Sequence, residues 1–420
     1  MIDRRSLVRA LGHEDVADWV VIQRDQELAI SDDGVQRSEQ RTRWQLTLHA
    51  DTPAGRGTAH VAIDANEGDP DKLIAQTAVL ARLAAGPAWA TIPPAAPARV
   101  DLADPALGTG APLAAVATIA KLVPRRPGAT IEARVTVLRE SVTVQARQSF
   151  HTEWTATLAR VDAIVAQGAH ALAITREARR VADLDIVAAV DEAIADLRYL
   201  AGAKPAVAGP CSVILAADAL LHGGLGVWDA FVAQADPVVA REGLTRYHEH
   251  ALIAEGSDAV AEPLTITSDG ALAFGVRSSP VGDEGDATRK FSLVTRGVAA
   301  GLALTPREAA LRQRDPNGGV RNLIVEPGSW DEHATPDPTE KRRVIEVRRL
   351  RGLAIDPYTG DADVEIALGL DRTSGAAFAG GTLRLDLIAE LARARRSART
   401  IRRGPYVGPA AVWIERADLI

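Results

Sequence analysis

Two long stretches near the start, WVVIQRDQELAISDDG from Trp19 and RTRWQLTLHAD from Arg41, place branched and aromatic residues at alternating positions. A third, AHVAIDA, follows the turn glycines Gly55 and Gly57. Alternation bounded by turn residues predicts three strands in a meander. The period then changes. Asp69 as N-cap and Pro70 at the first helical position open a stripe of Leu73, Ile74, Thr77, Leu80 and Leu83, which Gly86 and Pro87 close. This is the spacing and punctuation of a helix, so the chain opens on a β-β-β-α unit.

Residues 87–112 are rich in proline and read as a linker or surface crossing. A short helix is expected over Leu113–Leu122, then a strand-rich stretch to about residue 179, then a second helix over Asp183–Leu200. Its apolar positions Ile186, Val187, Val190, Ile194, Leu197 and Leu200 keep helical spacing until Gly202 and Pro205. The segment AGAKPAVAGP, residues 201–210, divides an N-terminal α+β domain (1–205) from a C-terminal strand-rich domain (206–420). In the second, SVILAADALLHGG reads as a strand feeding a helix. Strands are expected in EPLTITSDGALAFG (with a turn at Asp269-Gly270), RNLIVEPG, VIEVRRLRGLAI and DADVEIALGL, and a closing helix in TLRLDLIAELARARRSAR. The predicted class is α+β, with a mixed sheet first and a largely antiparallel sheet second.

Composition narrows the function. With 420 residues, 47% hydrophobic and 25% charged, the chain can bury more than one core. A formal charge of -7 opposes a nucleic-acid coat. Two basic runs, Lys341-Arg342-Arg343 with Arg348, Arg349 and Arg351, and Arg393 to Arg403, read as solvated faces; a stripe for an anionic partner is the alternative. No stretch approaches the ~18 apolar residues of a membrane span, and the first residues lack a secretory apolar run, so a soluble, cytoplasmic protein is expected. The single cysteine, Cys211, excludes an intrachain disulfide and any zinc site built on two thiolates; it reads as a small buried residue. GxSxG, GxxxxGK[ST] and a GxGxxG after a strand are absent, which leaves esterase, phosphate-loop and dinucleotide chemistry without an anchor.

Taken in order, EPLTITSD, GDEGDATRKFSLVTRGVAAGL, VRNLIVEPGSWDE, LRGLAIDPYTGDADVEIALGL and AGGTLRLDLIAELARARR resemble the C-terminal domain of TldD/PmbA proteins over about 200 residues. In active members of that family a strand-to-helix passage carries HExxxH, whose histidines bind zinc together with a later cysteine while the glutamate acts as general base. The matching stretch here is LLHGGLGV. His222 stands at the first histidine, Gly223 replaces the glutamate, Val227 replaces the second histidine, and the last twenty residues hold no cysteine. The resemblance implies the PmbA-like or TldE-like branch: a catalytically silent, cytoplasmic subunit that binds no cofactor itself, pairs with a TldD-like HExxxH homologue carrying the zinc, and presents sheet edges to an extended peptide. That peptide could be the leader of a ribosomal natural product. Alternatives are an enzyme in its own right, or a regulator of a topoisomerase or toxin system.

Three further groups are candidates. The acidic loop Asp283, Glu284, Gly285 and Asp286 could meet a substrate amine or basic side chain, or be a satisfied turn. His248 and His250, two apart in an expected strand, would share a face and could reach one metal ion; a polar loop is the blander reading. Trp228 and Trp330 could line a peptide groove or belong to the core.

Overall fold

The computed structural model describes residues 16–32, 34–64, 70–92, 94, 96–146, 150–334 and 342–420. Asp69, expected as a helix cap, and Lys341 of the first basic run lie outside them. The expected meander forms from β1 (Val16–Asp32), β2 (Val35–Thr52) and β3 (Gly55–Asp64), followed by α1 (Pro70–Leu83). It belongs to a six-stranded antiparallel sheet completed by β4 (Thr130–Ala146), β5 (Phe150–Gln167) and β6 (His170–Ala178), in the order β3-β2-β1-β4-β5-β6. Between α1 and β4 the described residues are irregular except for α2 (Pro105–Gly108) and α3 (Pro112–Ala120), and α4 (Ile186–Ala201) follows β6. Helices α3 and α4 cover one end of the sheet, where Val116, Ile119, Val190 and Leu197 meet Val135, Val137, Val161 and Val165 in one core. Val187, expected in that stripe, is exposed.

The α1 stripe also differs in phase. The buried face is Ile74, Thr77, Ala78 and Ala81, whereas Val79, Leu80 and Leu83 face outward. The cause is close approach: a Cβ on Gly57 would stand 1.8 Å from the Ala81 carbonyl oxygen, so the helix backbone rests directly on β3. Only small residues fit that contact, and the leucines turn away.

The remaining strands form two sheets. One orders β11 (Val298–Ala299), β10 (Lys290–Thr295), β9 (Ile266–Asp269), β12 (Asn322–Val325), β19 (Tyr406–Pro409) and β18 (Thr400–Arg403). The other contains β7 (Lys204–Pro205), β8 (Gly209–Ala216), β13 (Arg343–Ile355), β14 (Asp361–Asp371), β15 (Ala377–Ala379), β16 (Thr382–Asp386), β17 (Arg395–Arg396) and β20 (Ala411–Leu419). Within it β13, β8, β20, β16 and β14 form a closed circuit, because β14 pairs back onto β13. Closure hides strand edges. Cys211, Val213 and Leu215 from β8, Val364 and Ile366 from β14, and Val412 and Ile414 from β20 share the largest core. The class is therefore α+β, as expected, but the mixed sheet expected first is wholly antiparallel, and the parallel pairs, β12–β19, β8–β13 and β7–β15, fall in the two later sheets, which are otherwise antiparallel.

Three local expectations are corrected. ALAFG after Asp269-Gly270 is not a strand: Asp269 Oδ1 accepts from the Ala271 N–H and Phe274 takes a left-handed φ of 53°, so the chain leaves β9 and returns as β10. TLRLDLIAELARARRSAR is strand before it is helix. Leu383 and Leu385 alternate inward along β16, and Asp386 then caps α9 (Leu387–Arg393) by accepting from the Ala389 N–H. The final twenty residues, given no elements from sequence, supply β18 from Ile401 onward, all of β19, and β20, which joins β8 to β16 and β17.

Replacing Gly57 by alanine should destabilise the protein by about 2–3 kcal/mol, since the obstructing atom is backbone and cannot rotate away. Urea denaturation checks this; an unchanged midpoint would show that α1 does not rest on β3 as described.

Candidate functional site

The most highly charged part of the interior lies where the three sheets meet. Asp218, on the short helix α5 (Ala217–Leu220) that β8 feeds, is approached by Arg349 of β13 at 2.6 Å, Arg403 of β18 at 2.6 Å and Arg176 of β6 at 3.4 Å. Burial opposes ionisation of Asp218, but the guanidinium groups of Arg349, Arg403 and Arg176 outweigh it and hold the carboxyl below its usual range. A second carboxylate, Asp196 on the inner face of α4, accepts from Arg348 at 2.5 Å and Arg349 at 2.7 Å. Consecutive arginines on a strand normally face opposite ways; here the β13 register shifts between Val347 and Arg349, and the bulge lets both reach one partner. Glu192 adds a contact to Arg403 at 3.2 Å, and Glu346 one each to Arg348 and Arg372.

Beside this network lies a cavity of about 510 Å³, lined by five arginines (Arg160, Arg176, Arg349, Arg402, Arg403), four carboxylates (Glu177, Asp183, Asp185, Asp218) and His222. His222 is half-buried and Gly223 and Gly224 are exposed at its edge. Helix α5 stops at Leu220, and the two glycines turn the chain at φ 73° and 132°. Val227 is fully enclosed in the largest core. This donor set does not fit zinc. One imidazole is present, Val227 is an apolar core residue, Gly223 takes a backbone conformation that disfavours side chains, and the neighbours include five arginines.

The acidic loop lies elsewhere. Only Asp283 is exposed, in an ion pair with Arg321 at 3.4 Å. Glu284 and Asp286 are buried against the first sheet, near Asp18, Val20, His49 and Trp89. Burial, then the neighbouring Asp286 and Asp283 charges, push Glu284 up to about 8. Asp286 rises to about 6, chiefly through burial. His49 Nε2 is 4.0 Å from Glu284 Oε2, yet burial lowers the His49 pKa to about 4. Near neutrality this is a contact between two uncharged groups, not an ion pair. The loop thus seats one half of the chain on the other, as Arg179 does by donating to the carbonyls of Gly275, Val276 and Ser278.

The other candidates resolve into structure. His248-Glu249-His250 is not a strand but a turn, with His250 at φ 70° and Glu249 paired to Arg314 at 2.6 Å, so the shared-face argument fails. Among the described residues no group of three or more His, Cys, Asp or Glu is arranged to hold a metal ion. Trp228 is core, stacked on Tyr406 at 6.2 Å; Trp330 packs on Trp413. Cys211 is fully buried, its thiol pushed up to about 11 by burial, as befits a small core residue. The basic runs are not simply solvated faces. Arg351 is exposed, but Arg349 and Arg396 are interior, the latter donating to the carbonyls of Glu326 and Glu262.

Residues 248–379 match the model of the PmbA/TldA metallopeptidase C-terminal domain, so this part of the chain carries a domain of that family. The fold of the whole chain is that of solved structures in the same group. TldE from Thermococcus kodakarensis superposes with a TM-score of 0.73 at 15% identity, covering 99% of each chain. A candidate modulator of DNA gyrase from Bacteroides thetaiotaomicron gives 0.75 at 14% identity, over 100% of this chain and 99% of that one. Another from Thermotoga maritima gives 0.74 at 13%, over 96% and 95%. No curated protein matches at the sequence level. No helix among the described residues is long and apolar enough to cross a membrane.

Two outcomes follow from these charges. Asp196→Ala leaves Arg348 and Arg349 without their shared counter-charge and should cost about 3–5 kcal/mol in chemical denaturation; a loss under 1 kcal/mol would mean the pair is dispensable. The second concerns pH. His49, with its lowered pKa, favours the folded state increasingly as pH rises from about 4 to its ordinary 6.5. Glu284 acts oppositely: the folded chain keeps to about pH 8 a proton that the unfolded chain releases near 4.5, so stability falls as pH rises across that range. Asp286 does the same only up to about 6. Between pH 6.5 and 8 the Glu284 effect therefore stands alone among these three groups, and Glu284→Gln should flatten that decline and gain about 1 kcal/mol over wild type at pH 8. Parallel pH profiles for the two proteins would refute the assignment.

Proposed function

We propose that this chain is a non-catalytic, peptide-binding subunit of a TldD/TldE-type zinc peptidase, pairing with an HExxxH homologue that performs the hydrolysis. The observation that carries this reading is the LLHGGLGV passage. His222 stands at the edge of a large cavity in the family's fold, while Gly223 and Val227 offer no ligand and the surroundings are guanidinium groups. A chain without a general base gives up about 10² to 10⁴ in rate before the metal is considered. What the chain retains is the means to hold a substrate: a charged cavity and the sheets around it. The exposed Val79, Leu80 and Leu83 on α1, together with open sheet edges, suit coverage by a homologous subunit. In cells the pair would act on extended peptides in the cytoplasm.

Co-expression with an HExxxH homologue should give a stable complex by size analysis and chelator-sensitive peptide hydrolysis. In that complex the partner's zinc-site Glu→Gln should abolish turnover, whereas His222→Ala here should change kcat less than about threefold. Chelator-sensitive turnover by this chain alone, at the rate of the pair, would make it an enzyme in its own right and end the proposal.

A further inference from the structure

Two arginines that line the cavity beside His222 hold N–H groups that the protein itself does not use, each just beneath the cavity surface. Arg349 commits Nε to Asp196 and Nη1 to Asp218, which leaves Nη2 buried and without a partner. Arg176 commits Nη1 to the Thr175 carbonyl and Nη2 to Asp218, which leaves Nε in the same condition. Both residues are more than nine-tenths buried and both line the cavity. They flank the same carboxylate, so the two unused N–H groups belong to one neighbourhood. A buried donor left unmade costs about 1–3 kcal/mol, and folded proteins rarely keep two together without a reason. Arg402 lines the same cavity and is bonded to no carboxylate; its hydrogen bond goes to the Ala273 carbonyl.

We propose that this cavity receives the free C-terminal carboxylate of a peptide, paired with the Arg402 guanidinium, while a small side-chain rotation brings the unused N–H groups of Arg176 and Arg349 to it. A carboxylate offers two acceptor oxygens in one plane, the complement of guanidinium donors. Because four carboxylates already share the lining with the five arginines, a monoanion suits the cavity and a phosphate dianion meets repulsion. Access is open at the glycine edge. A Cβ on Gly223 or Gly224 would find nothing within 4 Å, so the peptide backbone preceding the carboxylate can pass over this turn. The volume, about 510 Å³, is in the range of small-ligand sites and admits a terminal residue with its neighbour. This inference rests on the peptide-binding reading above and adds which end of the peptide is recognised.

The test is fluorescence anisotropy with dye-labelled hexapeptides, identical except for a free acid or an amide at the C-terminus, on the full chain. Two variants accompany wild type. Arg402→Gln removes a charge while keeping a donor for Ala273, and Ala367→Phe adds bulk to the cavity lining from β14. Wild type should bind the free acid at least about tenfold more tightly than the amide, and the difference should fall below about twofold in both variants at unchanged melting temperature. Equal binding of acid and amide by wild type overturns the carboxylate inference while leaving peptide binding intact. Binding of neither peptide removes the peptide-binding reading and the inference with it. A preference that survives in both variants places recognition elsewhere, and displacement of the free acid by inorganic phosphate more readily than by acetate makes this a phosphate site; either result overturns the proposal.

Discussion

Asp218 is the point on which the three sheets converge. It stands at the start of α5, where β8 leaves the closed strand circuit, and its three arginine partners come from β6 of the first sheet, β18 of the second and β13 of the third. Removing such charges from water costs several kcal/mol per ion, which the ion pairs repay only when every member is in place. An apolar contact of similar area would tolerate sliding. A carboxylate shared among three guanidinium groups does not, because a shift of about 1 Å leaves a buried charge unmatched. The network therefore fixes how the sheets are set against one another more than it deepens stability.

The cavity follows from the same constraint. Guanidinium groups that must reach Asp218 and Asp196 from separate sheets cannot also fill the space between those sheets, and the glycine turn at Gly223-Gly224 adds no side chains to do so. What remains is a charged, partly open hollow where the elements meet, the common location of binding sites. The acidic loop is the contrasting case. Glu284 and Asp286 press against the first sheet with His49, all three driven toward their neutral forms by burial, so that junction is held without paired charge and responds to pH instead.

Much of the fold was legible because its elements follow single rules. The β1–β3 meander alternates cleanly, and α4 carries its stripe from Ile186 to Leu197 between a turn and Gly202. The misreadings have tertiary causes. The α1 leucines face out because backbone contact at Gly57 selects alanine, a preference invisible to hydrophobic periodicity. β16 and α9 ran together because Asp386, which ends one and caps the other, lies inside a continuous apolar pattern. At the cavity, His222 and the Gly223-Gly224 turn were singled out in the sequence because a motif has fixed spacing. Arg176 and Asp196 were not, and Arg402 and Arg403 entered only within a basic run read as a solvated face, because an ion network drawn from separate strands and helices has no spacing along the chain. The one local signal was the doublet Arg348-Arg349 within an alternating strand, where one arginine had to face inward.

On the proposed function, the arginines and the departures from the zinc motif belong to one physical choice. Two unit charges about 4 Å apart interact by roughly 4 kcal/mol at the effective dielectric of a protein surface, and a divalent ion doubles that figure for each guanidinium. Several arginines around one cavity thus oppose a zinc ion there, even if a glutamate were placed at Gly223 and a histidine at Val227. The same guanidinium groups favour an anionic occupant, and Asp218 consumes only part of their donor capacity. On the proposed reading, a cavity whose active relatives hold a metal to attack the peptide bond holds cations here to grip the peptide. Reinstating metal chemistry would then require removing the arginines as well as adding ligands, and removing the arginines would release the three sheets from the carboxylate that aligns them.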